Sequence, residues 1–598
     1  MKWIIQTLLA CALFVASHGL QRVLPEVPGR LCAFGDFNAD RNTDILKFQN
    51  GSLIVLYQET KLLDVLEAPK FIPGFSFVIG DSDLNETFVE CSVGDFNGDS
   101  HLDILVSIRT EPEDGEPFYN HTLWTMIDGV TKEFRPFHVA NLLQHAMAID
   151  VTNDGRTDVL GFYPNGTLFC TEFSSSGTIR PATDYCNNVF NEFPEKVNVF
   201  PGMPHLFVDL NSDLLAEIVF MVKDTDGLLL MHVWQMTKVN WKFREWIPKQ
   251  ATFPYVAAPI VMDYDSDGEM EILVPVCREA DCDHITTFAA WSKSKNWMTV
   301  SVDLQDFTVK KDPFSLVVFR VGDYSMDSYP DLLAILESPQ KHMSVIKYFE
   351  NVDCKNCVSN GTRKFELQKT EFIQAKNLTI GTAKMVTFFD LLEDGSLDVV
   401  VEYEYNGTTR FSFIFGDSKG DTTFLKVQVF TGLCSHPCNP VSDESGSSVS
   451  FAGACASFSM TDGWGGSTHS IACQVPSSSY RTLHLPSLLY GLGRSPNFVD
   501  ELTIGIPKYA DRKEDWKHSL KQIVPNSRII VLPPSDEVAH WTSRLYVTPS
   551  ALIAQSLGVI ASVCVMLLMV VVFLHYREKK EDRYERQQQS HRFHFDAM

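Results

Sequence analysis

Positive charge is what this chain of 598 residues has least of: 50 Lys and Arg stand against 75 Asp and Glu, a formal net charge of -25. A nucleic-acid binder neutralises phosphates with clustered basic side chains, so that class is excluded. Signatures of catalysis are also missing. There is no His-Glu-x-x-His and no Walker loop, and the 17 His are scattered. The chain is not expected to be an enzyme. Cysteine is sparse, 14 in all, and Cys354-Lys355-Asn356-Cys357 has no second such pair with which to build a four-thiolate zinc site. Long uncharged apolar runs occur at the two ends.

At the start, Lys2 leads into the apolar run Trp3 to Val15 and then the small residues Ala16-Ser17-His18-Gly19. That pattern predicts a signal peptide over residues 1–19, cut after Gly19 or Ser17. Near the other end, Leu552 to Leu574 carries no charge, and at about 1.5 Å per residue it can cross a hydrocarbon core of about 30 Å. Arg577, Lys579, Lys580, Arg583 and Arg586 follow it, whereas Thr548-Pro549-Ser550 before it are uncharged. The positive-inside rule then predicts a single-pass type I protein of the plasma membrane, amino terminus outside, with residues 575–598 as a cytoplasmic tail.

Cysteine usage agrees with export. Leaving out Cys11 in the signal and Cys564 in the membrane run, twelve remain, an even number. Proximity suggests Cys170 with Cys186, Cys277 with Cys282, Cys434 with Cys438 and Cys455 with Cys473, and a local disulfide is the preferred reading of Cys354 and Cys357. Cys32 and Cys91 occupy equivalent places in neighbouring repeats, where a bridge is plausible. Sequons at Asn50, Asn85, Asn120, Asn165, Asn360, Asn377 and Asn406 all precede the membrane run, as acceptors on an exported glycoprotein should.

The chain is organised around a nine-residue loop repeated seven times. Its second copy, Asp95-Phe96-Asn97-Gly98-Asp99-Ser100-His101-Leu102-Asp103, has oxygen side chains at positions 1, 3, 5 and 9. The other copies use Asp36, Asn38, Asp40 and Asp44; Asp150, Thr152, Asp154 and Asp158; Asp209, Asn211, Asp213 and Glu217; Asp263, Asp265, Asp267 and Glu271; Asp323, Ser325, Asp327 and Asp331; and Asp390, Asp394 and Asp398. Alternate residues of a tight loop can converge on one hard cation, and an oxygen-only donor set of this kind suits calcium. Structural calcium is therefore the expected cofactor. The fifth copy is the richest, with Gly268 at the sharp sixth position. The fourth lacks that glycine. The seventh has Leu392 at its third position, which cannot ligate, so that site is expected to be weak or empty.

First aspartates are spaced 59, 55, 59, 54, 60 and 67 residues apart, a repeat period long enough for one four-stranded sheet. Apolar runs flank each loop, as in Leu31 to Phe34 before the first and Ile272-Leu273-Val274 after the fifth. One such sheet cannot bury both faces, but seven arranged radially can. The expected fold is all-β: a seven-bladed β-propeller over 20–425, a small membrane-proximal β-sandwich-like domain over 426–548, where Ser and Gly rise and the acidic repeat stops, and a transmembrane helix over 552–574.

The stretches Phe34-Gly35-Asp36, Val93-Gly94-Asp95 and Val321-Gly322-Asp323, with their Asp-x-Asx-x-Asp loops, are similar to the FG-GAP repeats of integrin α-subunits. Gly491-Leu492-Gly493-Arg494-Ser495-Pro496-Asn497-Phe498, Ile523-Val524-Pro525-Asn526-Ser527, one span and the terminal His591-Arg592-Phe593-His594-Phe595-Asp596-Ala597-Met598 extend the likeness. Together they resemble the T-cell immunomodulatory protein, or LINKIN, family over essentially the whole chain. Tyr490-Gly491-Leu492-Gly493 and Thr503-Ile504-Gly505-Ile506-Pro507 also resemble the UnbV/ASPIC type of module. The resemblance implies a surface protein in cell adhesion, collective cell migration and immune modulation, linked on its cytosolic side to RuvB-like ATPases and tubulin. An extracellular protein or matrix ligand is expected outside, and membrane lipid around the helix. Two other roles stay open: a shed or secreted immunomodulatory ligand, and a membrane-tethered lectin or accessory subunit of an enzyme. Asp443-Glu444-Ser445-Gly446-Ser447 spells an integrin-type adhesion site, but its Ser-rich setting favours chance. In the tail, Tyr576 and Tyr584 read as part of a solvated basic segment, and the alternating His and Phe of 591–595 suit a docking peptide.

Overall fold

The computed structural model describes residues 26–595 other than 60–69, 81–88, 112–116, 129–132, 172, 174–181, 201, 238–239, 249–252, 254, 312–316, 339–343, 356–361, 369–381, 417–421, 432–448, 462–464, 477–482, 495–496, 508–515, 535–539 and 548–550. In the C-terminal helix, side chains are described for 558–589. The signal segment, Cys357, Cys434, Cys438, Asn85, Asn360, Asn377 and the Asp443 to Ser447 stretch lie outside the described residues. The chain forms two compact units, one ending at Tyr546 and the other beginning at Val547.

The first unit is built almost entirely of strands. Each of the seven loops joins an antiparallel pair in one register: the residue before the first Asp faces the acid at position 9. The pairs are Gly35 with Asp44, Gly94 with Asp103, Ile149 with Asp158, Val208 with Glu217, Met262 with Glu271, Gly322 with Asp331 and Phe389 with Asp398. Position 9 is thus the first residue of the second strand. That strand then buries two consecutive side chains, as in Ile45-Leu46, Ile218-Val219 and Val399-Val400, all at 0% exposure. Successive strand side chains point to opposite faces, so both faces of each of these sheets are covered.

The sheets vary around this unit. The first two repeats make four-stranded sheets, and the third makes three strands, Met147–Ile149, Asp158–Phe162 and Leu168–Thr171. There the described chain turns into a helix, Ala182–Val189, tied back by the Cys170–Cys186 disulfide; the expected uniform sheet gives way locally. The fourth sheet has five strands, and the fifth and sixth merge into a ten-stranded sheet through parallel pairing of Ser301 to Asp303 with Lys364 to Glu366. The seventh is completed by Val27–Pro28, paired with Phe411 and Arg410. Apolar clusters bridge neighbours: Leu46 and Phe48 pack with Ile104 and Val106, and Phe34, Ile45 and Leu56 pack with Phe389, Val400 and Phe413. Among the described residues no sheet rolls into a closed barrel.

Strand Thr423–Val429 opens a different layout. It lies in a four-stranded sheet with Leu488–Gly493, Ser527–Leu532 and Thr542–Val547, and a second sheet holds Cys455–Thr461, Ser467–Cys473, Val499–Gly505 and Lys517–Ile523. Leu425, Val427 and Ile529 of one sheet meet Phe458, Leu502 and Ile504 of the other in a single core, and Cys455–Cys473 staples adjacent strands. This is a sandwich.

The second unit is one helix, Ala551–Phe595. Its stretch Gly558–Gln589 contains an 18-residue window of mean hydropathy 2.6 that is not buried anywhere in the structure. The helix continues past the apolar run into the charged segment, where Arg577 and Glu581 pair one turn apart.

Candidate cation-binding loops

All seven loops share one backbone path. Positions 4 and 6 are left-handed in every copy: Ala39 and Arg41, Gly98 and Ser100, Asn153 and Gly155, Ser212 and Leu214, Ser266 and Gly268, Met326 and Ser328, Glu393 and Gly395. The fourth loop therefore does not need the missing glycine; Leu214 takes φ 61° there. This path turns the amides of positions 5 and 6 onto the first carboxylate. Asp36 accepts from Asp40 N at 3.1 Å and Arg41 N at 2.9 Å, Asp263 from Asp267 N and Gly268 N, and Asp390 from Asp394 N and Gly395 N, with the same pair in the other four. Each position-5 Asp accepts from the amide two residues on, as Asp40 does from Asn42. The position-9 acid accepts from position 2 in six loops, as Asp44 does from Phe37 N at 2.9 Å; in the sixth, Ser325 one residue on donates to Asp331. Concave arrays of oriented amides hold the carboxylates in place.

The position-3 side chains lie against these acids: Asn38 and Asn97 donate to Asp40 and Asp99, Thr152 to Asp150 and Asp158, Asn211 to Glu217, and Ser325 to Asp323. In the fifth loop, oxygens of Asp263, Asp265 and Asp267 lie within 4.8 Å of one another. Positions 1 and 9 are buried in every loop, while position 5 reaches the surface.

Burial has an electrostatic consequence. It raises Asp36, Asp95, Asp150, Asp263, Asp323 and Asp394 to about 7, Asp209 to about 6, and Asp44 and Glu217 to about 8. Asp158, Glu271, Asp331 and Asp398 are also held well above the ordinary carboxylate range, burial being the largest cause. Carboxylates this crowded and desolvated favour either protonation or a cation. Among the described residues, Asp158 Oδ1, Asp265 Oδ1 and Glu271 Oε1 are buried without a hydrogen-bond partner. Such oxygens suit a hard divalent ion, and among the described residues the fifth loop brings three carboxylates close enough to share one.

Two loops meet an ammonium of the protein's own. Lys295, in the turn between Ile285–Ser292 and Asn296–Asp303, stands 2.8 Å from Asp265 Oδ2, 2.5 Å from Asp267 Oδ2 and 3.6 Å from Glu271 Oε1. Burial works against its charge, but Asp265 and Asp267 outweigh it and hold the ammonium above its ordinary range. In the seventh loop Leu392 points away, 43% exposed, and Lys426 enters from the sandwich, 2.8 Å from Asp390 Oδ2 and in contact with Glu393. Its side chain is 1% exposed. The seventh loop does not fit a divalent ion.

The sandwich packs on the loops elsewhere too. Asp263 Oδ2 accepts from Ile471 N at 3.1 Å, Asp323 Oδ2 from Gly491 N at 2.9 Å, and Arg41 lies over the Phe430 ring at 5.5 Å. A Cβ at Gly491 would run into Asp323 and the Met326 backbone, so the glycine permits the approach. Sequence reasoning missed these contacts, because partners such as Asp263 and Ile471 are 208 residues apart. Glu393 had a readable signal: it is the one acid at position 4 among the seven copies.

Cys32–Cys91, Cys170–Cys186, Cys277–Cys282 and Cys455–Cys473 are disulfides, and Cys354 is disulfide-bonded as well. Among the described residues Cys564 is a free thiol. The described sequon residues Asn50, Asn120, Asn165 and Asn406 are all exposed. Tyr576 and Tyr584 are exposed on the C-terminal helix.

Repeated carboxylate loops on an all-β unit, followed by one apolar helix of spanning length, fit a single-pass membrane protein. Comparison with known proteins makes the assignment more specific. The chain belongs to the linkin and T-cell immunomodulatory protein family. It is 66% identical to "Protein linkin" of Caenorhabditis elegans over all of both chains. It is 30% identical to "T-cell immunomodulatory protein" of Mus musculus over 96% of this chain and 93% of that one. A "T-cell immunomodulatory protein homolog" of Plasmodium yoelii yoelii matches at 24% over 94% and 89%. Residues 446–546 match the family described as ITFG1, C2 domain.

Proposed function

We propose that this chain is a type I surface glycoprotein of the plasma membrane. It acts by protein–protein contact, not catalysis, in the cohesion of collectively migrating cells and in modulation of T-cell function. The observation that carries this reading is the end-to-end match to linkin, which spans repeats, sandwich and helix alike. The even set of lumenal cysteines and the exposed sequon residues support an exported first unit. We read the seven repeats as blades of a propeller, the fifth and sixth joined through their shared sheet. The pairing of Val27–Pro28 with the seventh sheet and the packing of Phe34 on Phe389 support that arrangement. The first six loops are read as structural calcium sites that stiffen the blades, and the tail as a hook for RuvB-like ATPases and tubulin.

Depleting the protein from an adherent cell sheet tests the adhesive role. Loss of cell–cell attachment, restored by the full chain, is expected; intact attachment would sink it. A second reading, a shed ligand, is favoured by the boundary between the units at Tyr546 and Val547, since a cut in 547–550 would release the first unit whole. Appearance of that unit in culture medium tests it.

A further inference from the structure

The seventh loop departs from the others in two coordinated ways. It loses its position-3 oxygen, Leu392 standing exposed, and it gains a carboxylate at position 4, where the other copies carry Ala39, Gly98, Asn153, Ser212, Ser266 and Met326. The seventh loop thus keeps the acids at positions 1, 5 and 9 and adds a fourth carboxylate at position 4. What meets it there is the sandwich. Lys426 bridges Asp390 and Glu393, and Arg528, its register neighbour on the adjacent parallel strand, lies 3.6 Å from the same Glu393 Oε2. The other Glu393 oxygen accepts from the amide and hydroxyl of Thr43, both at 3.1 Å, which ties the first loop into the cluster. Lys426 and Asp390 side chains are each 1% exposed, Glu393 6% and Arg528 14%. An ammonium so enclosed cannot be exchanged for a solvated ion without separating the domains.

We propose that the seventh loop takes no divalent cation: Lys426 is its resident cation, and the cluster of Asp390, Glu393, Lys426 and Arg528 is a calcium-independent clasp holding the sandwich to the repeat sheets. The inference rests on the reading of the other loops as calcium sites for its contrast, but the clasp stands apart from it. Withdrawal of calcium would then loosen the contacts at Asp263 and Asp323 while the sandwich stays attached at one edge.

The test uses the full chain in detergent micelles. Calcium bound per chain is measured by elemental analysis for wild type, Asp390→Asn/Asp394→Asn and Asp263→Asn/Asp267→Asn. The first variant is expected to bind as much as wild type and the second one ion fewer; loss of an ion in the first overturns the proposal. Hydrogen exchange of residues 423–429 is then followed in chelator. Wild-type protection is expected to survive chelation, to fall about a hundredfold in Lys426→Met, as for a broken buried ion pair, and to recover in part when Glu393→Gln is added. Should Lys426→Met fail to fold, Glu393→Gln alone serves, with a loss of about tenfold expected. Protection that chelation strips from wild type, or that neither variant lowers, overturns the clasp. If no loop binds calcium while these variants still lower protection, the calcium reading falls and the clasp remains.

Discussion

The fifth and seventh loops each hold a lysine among their carboxylates, yet the two lysines do different things. Lys295 rises from a hairpin turn of its own sheet, its side chain about a third exposed. Lys426 comes from the sandwich, 36 residues along the chain from Asp390, and is enclosed. A tethered ammonium that can swing into water competes with an incoming ion and is displaced by it. One sealed between two domains has nowhere to go, because baring it would also leave Asp390 and Glu393 buried and uncompensated. Exposure, more than the presence of a cation, separates a replaceable counter-charge from a structural joint.

The largest effect that would break this contrast is that of calcium removal. Six loaded sites, each stabilising by about 2.7 kcal/mol at a hundredfold excess of ion over Kd, should make chelation lower the melting temperature of the first unit by on the order of 10 K. Unchanged melting would mean that the loops are merely acidic turns. Next comes pH. With calcium removed, the carboxylates at about 6 to 8 lie above their unfolded value of about 4. Their protonated forms favour the folded state below that unfolded value, and this contribution is lost as pH rises through the folded values. Chelated protein should therefore melt lower at pH 8 than at pH 5, by on the order of 5 K, and calcium should flatten the difference. Scanning calorimetry at the two pH values with and without chelator decides it.

Smaller effects sharpen the comparison between the two lysines. Lys295→Met removes the competitor and should tighten calcium at one site by roughly fivefold, read by titration calorimetry; no change would place the Lys295 ammonium outside the ion's path. Leu392→Asp restores an oxygen at the seventh loop, but with Lys426 in place it should add no bound ion. A seventh ion in this variant would show that the ligand count, and not the lysine, had kept that loop empty.

Much of this was legible locally. The nine-residue spacing announced each loop, since all its oxygen side chains lie within one turn of chain and the flanking apolar runs set a strand on either side. Leu392 was visible as a gap for the same reason. The left-handed conformation at positions 4 and 6 was only half legible: Gly268 signals it, whereas Arg41 and Leu214 adopt it because amide bonds to the first Asp outweigh the local cost. The helix Ala182–Val189 and the merger of the fifth and sixth sheets had no local signature.

The sequence alone determined that seven acidic loops recur, that each begins a buried strand, and that a spanning apolar run follows them. Those properties depend on residues a few positions apart, whose geometry the backbone dictates. Which partners from distant parts of the chain each loop meets was decided by tertiary structure. The ammonium of Lys426 and the amides of Ile471 and Gly491 reach their carboxylates only when the sandwich settles on the loops. Contacts that close across such separations follow from which surfaces bury each other, and no local pattern in the chain carries that information.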